Sequence, residues 1–155
     1  ASAMTLLGRN DSDDASYLEI AEFLSSYADP EHLEDDLAEL FARVVFNVCV
    51  ANRDDHLRNH GMIRTPAGWC LAPAFDMNPS FTKREHVLAL DLDERRPDLE
   101  AVLSTALYYR LTKRRAVRIV DRIRKTVSGW EAVARANGLS SRECAEAKHL
   151  FVGIG

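Results

Sequence analysis

From Leu33 to Val48 the apolar residues Leu33, Leu37, Leu40, Phe41, Val44, Val45 and Val48 recur at helical spacing, and Phe46, Cys49 and Val50 make the end of the run apolar all round. A helix that is apolar on every side must be buried there, so this stretch predicts a central helix, with Asp29 as its N-cap, around which the rest of the chain packs. The run stops abruptly at a polar octet, Asn52-Arg53-Asp54-Asp55-His56-Leu57-Arg58-Asn59. A buried helix that passes directly into such a loop anchors it on a rigid scaffold, which is how folds position reactive side chains.

The flanking segments read as further helices and one hairpin. Ser16-Tyr17-Leu18-Glu19 is a capping box, and Tyr17, Ile20, Ala21, Leu24 and Tyr27 form one face of a helix near 16 to 28. Gly61-Met62-Ile63 and Trp69-Cys70-Leu71 flank Thr65-Pro66-Ala67-Gly68, the pattern of a short β-hairpin. His86 to Leu92 has strand character, and Asp98 opens a helix through Leu99, Val102, Leu103 and Ala106. Thr112 caps a long helix in which Val117, Val120, Ile123, Val127 and Trp130 face the core until Asn137-Gly138 ends it. Ser140-Ser141-Arg142-Glu143 is a second capping box before a terminal helix. The expectation is a single mainly α domain over residues 1–155, with one small β-hairpin.

The polar octet and the later Phe75-Asp76-Met77-Asn78-Pro79 carry the chemistry. Protein kinases place an Asp that accepts the substrate hydroxyl proton four intervening residues before an Asn that binds magnesium, and a second Asp on a later loop holds the metal. Asp54, Asn59 and Asp76 stand in that order. A hard divalent cation prefers oxygen ligands, and an Asn carbonyl binds it without adding repulsion between nearby carboxylates. The D-x-x-x-x-N spacing alone is a weak signal, because Asp and Asn also cap helices and turn chains. The order of helix, polar loop, hairpin and second Asp strengthens it.

Val50 to Gly61 and Gly68 to Ser80, the latter reading Gly-Trp-Cys-Leu-Ala-Pro-Ala-Phe-Asp-Met-Asn-Pro-Ser, resemble the C-terminal region of HipA-type toxin kinases, and the match extends more loosely over nearly the whole chain. The resemblance implies a protein-kinase-like C-terminal lobe from a bacterial serine/threonine kinase that uses ATP and Mg2+. It also implies pairing with a DNA-binding antitoxin of the HipB type, so that DNA is met only through that partner, and phosphorylation of a protein of translation such as an aminoacyl-tRNA synthetase. By motif, Asp54 would be the base, and Asn59 and Asp76 the cofactor-binding and magnesium ligands. His56 would lie near the transferred phosphate; an imidazole hydrogen-bonded to loop backbone is the competing role.

A kinase also needs a glycine-rich loop over the phosphates and a strand lysine, both ahead of the catalytic loop. The 51 residues before Asn52 hold one glycine, Gly8, and no lysine, and no G-x-G-x-x-G or P-loop pattern occurs. The N-terminal ATP lobe is therefore expected to be missing from this chain and to act in cis or in trans, leaving the chain inactive alone. The alternative is a non-catalytic module of kinase fold that contacts an antitoxin or another chain.

Other signals are weaker. Asp11, Asp13 and Glu22 occupy EF-hand positions, but Ala15 and Ser16 stand where a ligand and the turn glycine belong. His56 and His60 are four apart, a zinc spacing on a helix, yet the stretch is loop-like. Lys113, Arg114, Arg115, Arg118, Arg122, Arg124 and Lys125 interleave with apolar residues, as on a solvated helix face. The net charge of -4 offers no global attraction to nucleic acid. Cys49, Cys70 and Cys144 lack metal spacing and read as reduced thiols. No apolar stretch approaches the roughly 20 residues that span a bilayer, so the expectation is a cytoplasmic protein with no membrane partner.

Overall fold

The computed structural model describes residues 1–151 and 153. In chain order the helices are α1 (Ala3–Leu6), α2 (Tyr17–Tyr27), α3 (Leu33–Cys49), α4 (Leu99–Ser104), α5 (Lys113–Val127), α6 (Trp130–Ala136) and α7 (Ser141–Ala147). Strands β1 (Met62–Arg64) and β2 (Trp69–Leu71) form an antiparallel hairpin between α3 and α4, with Met62 opposite Leu71 and Arg64 opposite Trp69.

Helix α3 is the axis of the molecule. Leu37, Leu40, Phe41, Val44, Val45, Val48 and Cys49 are fully buried, against α2 on one side and α5 on the other. Each such aliphatic or aromatic side chain contributes about 1.5–3 kcal/mol of transfer free energy, so this helix supplies the largest share of the core. Its polar residues are equally ordered. Asp36, Arg43 and Asn47 lie seven and four positions apart, on one stripe of the helix. Asp36 accepts from the backbone N–H of Leu71 at 2.8 Å, and Arg43 donates to the carbonyl of Ala72 at 2.7 Å. The stripe thereby holds the strand that leaves the hairpin.

The hairpin is also clamped from below. Asp29 N–H donates to the carbonyl of Trp69 at 2.8 Å, and Ala28 pairs with Trp69 in a parallel bridge. This close approach needs Gly68, where a Cβ would stand 2.5 Å from the Asp29 nitrogen.

Several predicted elements differ in the structure. Asp29 does not cap α3: its carboxylate accepts from Glu31 N–H and from the Thr65 hydroxyl, and one more turn passes before the helix starts at Leu33. Residues 86–92 form no strand. They hold their place by separate backbone bonds, His86 to Arg95, Val87 to Arg53 and Ala89 to Ala15, because each finds a different partner segment instead of one ladder. The long helix expected from Thr112 to Asn137 breaks at Ser128-Gly129 into α5 and α6. Ala116 and Ile119, with Val120 and Val127, take the buried face of α5, leaving Val117 36 % exposed. The basic residues Lys113, Arg114, Arg118, Arg122 and Lys125 are exposed. Trp130 instead stacks on Phe151, with centroids 4.0 Å apart, beside a small cluster of Ala51, Ala147 and Leu150. Among the described residues no helix is long and apolar enough to cross a membrane.

Candidate active site

Helix α3 ends without glycine. Ala51, fully buried, takes a left-handed conformation with φ of 55°. A non-glycine residue there costs about 1 kcal/mol, and local strain of this kind persists only where surrounding bonds over-determine it. Here the Ala51 carbonyl accepts from Arg53 N–H at 2.9 Å and from Ser80 N–H at 2.8 Å. The same residue thus ends the helix and ties the polar loop to the segment after Asp76.

The loop is built around Asp55. Its carboxylate, 3 % exposed, accepts from the Tyr17 hydroxyl at 2.7 Å and the Asn47 amide at 2.8 Å, and pairs with His60 Nε2 at 2.8 Å. Burial alone would raise the carboxyl's pKa, but the bonds and charge of His60 and the bond from Tyr17 hold it below the usual carboxylate range. Burial and the Asp55 charge push the Tyr17 phenol well above its ordinary value, so it stays a donor. The next residue back, Asp54, points the other way and is 62 % exposed. A buried anchor beside an exposed carboxylate sets where the exposed one stands.

Asp76 is aimed by a second network. It too adopts a left-handed conformation, φ 55°, in which Asp is better tolerated than most residues. Asn52 accepts nothing from Asn47 but donates to its side-chain oxygen at 3.0 Å, and the same amide lies 3.5 Å from the Asp76 carbonyl. One Asp76 carboxylate oxygen accepts from the Asn78 amide at 2.9 Å.

The structure brings Asp54 and Asp76 to one cleft of about 180 Å³, lined also by Asn52, Asn78, Pro79 and Ser80. Asn59 does not line this cleft. It closes a single helical turn over Leu57–Asn59, is 8 % exposed, and lines a separate tight cavity with Asp55, His60, Phe75 and Met77, the last two being the chain neighbours of Asp76. Its side chain makes no hydrogen bond among the described residues, which leaves its carbonyl free as a ligand. His56 is half-buried with Nδ1 unpartnered, and His60 Nε2 is committed to Asp55. The oxygen-only set of Asp54, Asn59 and Asp76 fits a hard cation such as magnesium and not zinc.

Sequence reasoning missed several members of this site. Lys83 pairs with Asp54 at 2.5 Å, while its carbonyl accepts from Arg53 at 2.7 Å. No motif marks a lysine 29 positions downstream as a neighbour of Asp54. Asp55, Asn47 and Tyr17 were equally silent, since nothing in their spacing announces a shared carboxylate.

A family model for the HipA-like C-terminal domain matches residues 1–130. The chain is also similar in fold to a HipA of Shewanella oneidensis MR-1, solved in a toxin–antitoxin complex of HipA, HipB and operator DNA, with a TM-score of 0.69 at 17% identity. The superposition covers 90% of this chain and 34% of that one, so the present chain spans about a third of the length of the HipA it matches. The likeness shows a helical, kinase-like C-terminal lobe with a small hairpin. Comparison with curated proteins finds no match.

Proposed function

The chain belongs to the family of HipA-like C-terminal domains, and from that premise we propose that it is the catalytic C-terminal lobe of a toxin kinase, transferring the γ-phosphoryl group of ATP to a serine or threonine hydroxyl of a protein. The observation that carries this proposal is the shared cleft of Asp54 and Asp76, since one reacting group could meet both carboxylates there.

In this mechanism the exposed Asp54 carboxylate accepts the proton of the attacking hydroxyl. Asn59 and Asp76 would hold Mg2+, which would supply neutralisation of charge on the phosphates. His56 borders the transferred phosphate, and Lys83, paired with Asp54, places a cation at the same rim. Asp55, Asn47 and Asn52 keep the base and the Asp76 backbone in fixed relation, so catalysis rests on positioning and charge placement. The glycine-rich loop and strand lysine, absent from these 155 residues, are supplied by an N-terminal lobe in cis or in trans. The solved HipA was found with HipB and operator DNA, which supports a HipB-type antitoxin as partner, with DNA contacted through it; the compartment proposed is the cytoplasm. The substrate class favoured is a translation protein such as an aminoacyl-tRNA synthetase.

The test is phosphoryl transfer from radiolabelled ATP by the protein with both lobes present. Asp54→Asn and Asp76→Ala should each abolish transfer while leaving the fold intact. A normal rate of autophosphorylation in Asp76→Ala would remove that residue from the metal site. Absence of transfer by the unmodified protein with both lobes would leave a non-catalytic, partner-binding lobe as the better account.

A further inference from the structure

Where the α2–α3 connection meets the hairpin, three side chains from two distant parts of the chain converge. Asp29 lies in the connection from α2 to α3, His32 is the last residue before α3, and Cys70 is the middle residue of β2. One carboxylate oxygen, one imidazole nitrogen and the thiol sulfur all lie within 4.8 Å of one another, and this is the sole grouping of three such donors among the described residues. We propose that Asp29, His32 and Cys70 form a zinc site that staples the α2–α3 connection to the hairpin, with water completing the shell.

The donor set selects the metal. A thiolate, an imidazole and a carboxylate make the mixed N/S/O set that zinc takes in tetrahedral sites, while magnesium and calcium avoid sulfur and nitrogen. The positions are also braced without metal. The hydroxyl of Thr65 donates to one Asp29 oxygen at 2.8 Å and Glu31 N–H to the other at 3.1 Å, so the carboxylate is oriented by outer partners as zinc ligands commonly are. The hydrogen bond from Asp29 N–H to Trp69 O holds the two ligand-bearing segments in register. On binding, the Cys70 thiol loses its proton to solvent as the metal–sulfur bond forms.

Sequence spacing could not show this site, because Cys70 lies 38 positions beyond His32 and only the hairpin's return brings it back. The proposal does not depend on kinase activity.

The chain, stripped with a chelator, is titrated with Zn2+ against a competing indicator and with Co2+ as a spectroscopic probe. The expected result is about one equivalent bound, with a thiolate-to-cobalt charge-transfer band and the intense visible bands of four-coordinate cobalt. Cys70→Ser should abolish the charge-transfer band. His32→Ala, an exposed position whose loss leaves the fold intact, should weaken zinc at least tenfold, and Thr65→Val should weaken it about tenfold through the freed carboxylate. Absence of binding, a cobalt–thiolate band that survives Cys70→Ser, or zinc affinity unchanged in His32→Ala would each overturn the assignment.

Discussion

The phenol of Tyr17, in the first turn of α2, donates to the carboxylate of Asp55, 38 residues later, at 2.7 Å with both groups buried. His60 meets the Tyr17 ring edge-on, with centroids 5.7 Å apart, and shares the same carboxylate. Asp55 is therefore the point at which α2, α3 and the polar loop are joined, one residue from the proposed base.

Removing parts of this joint should cost stability in a fixed order. Tyr17→Phe takes away one donor and leaves Asn47 and His60 in place, a loss of about 1–3 kcal/mol. Asp55→Ala strands three buried partners and should cost about 3–5 kcal/mol. Urea unfolding measures both, and a penalty under about 1 kcal/mol for Asp55→Ala would show that the carboxylate is no hub.

Stability should fall on acidification in two windows. His86 is buried, and burial, followed by the Arg53 charge, lowers its pKa from 6.5 to about 4. A depressed pKa means that the folded state favours the neutral ring, so its contribution is complete above pH 6.5 and is lost as pH falls towards 4. At most about 3 kcal/mol is involved, from a shift of that size. Asp55, also depressed, contributes above the ordinary carboxylate range and loses that contribution as pH falls through its lower folded value. His86→Leu should flatten the upper window in thermal melts between pH 4 and 7 and leave the lower one. An unchanged slope there would relieve His86 of that role.

Gly68→Ala should loosen the hairpin from the α2–α3 connection. The added Cβ would sit 2.5 Å from Asp29 N and 2.6 Å from the Ala28 carbonyl carbon, both backbone atoms that cannot rotate away. The expected cost is about 1–3 kcal/mol, read as a drop in Tm, with faster amide exchange at Asp29 N–H. Gly138→Ala, where no atom lies within 4 Å but φ is +96°, is the comparison that carries backbone strain without a clash.

Exposed members of the cleft should behave in the opposite way. Asp54 and Lys83 are 62 % and 42 % exposed, so Asp54→Asn and Lys83→Met should each move stability by less than about 0.5 kcal/mol in chemical denaturation. In a protein with both lobes, Lys83→Met should lower turnover by roughly tenfold, less than a buried charge donor would, because solvent screens it. A larger stability loss in either variant would make the pair structural.

The isolated chain should bind Mg-ATP more weakly than micromolar. Micromolar affinity corresponds to about -8.2 kcal/mol, more than one face of a cleft is expected to supply when the loop and lysine for the α and β phosphates are not among its residues. Calorimetric titration decides it, and a micromolar constant would contradict the half-site account.

Local patterns wrote themselves legibly into this chain. The apolar rhythm of α3, the capping boxes at Ser16 and Ser140, the Asp98 and Thr112 caps and the hairpin around Pro66-Ala67 all depend on residues within a few positions of one another, and all are present. The order of Asp54, Asn59 and Asp76 was readable as a motif, but that Asp54 and Asp76 line one cleft came from the fold. Where several partners compete for one segment, spacing misled: Asp29 turned from capping α3 to Thr65, residues 86–92 were divided among Arg53, Ala15 and Arg95, and Ser128-Gly129 split a periodic run in two. The Lys83–Asp54 pair, the Asp55 joint and the Asp29–His32–Cys70 cluster were invisible beforehand. Their members stand 29 to 43 positions apart at the widest, and a sequence pattern carries the period of one helix or strand but not the turn that brings two of them face to face.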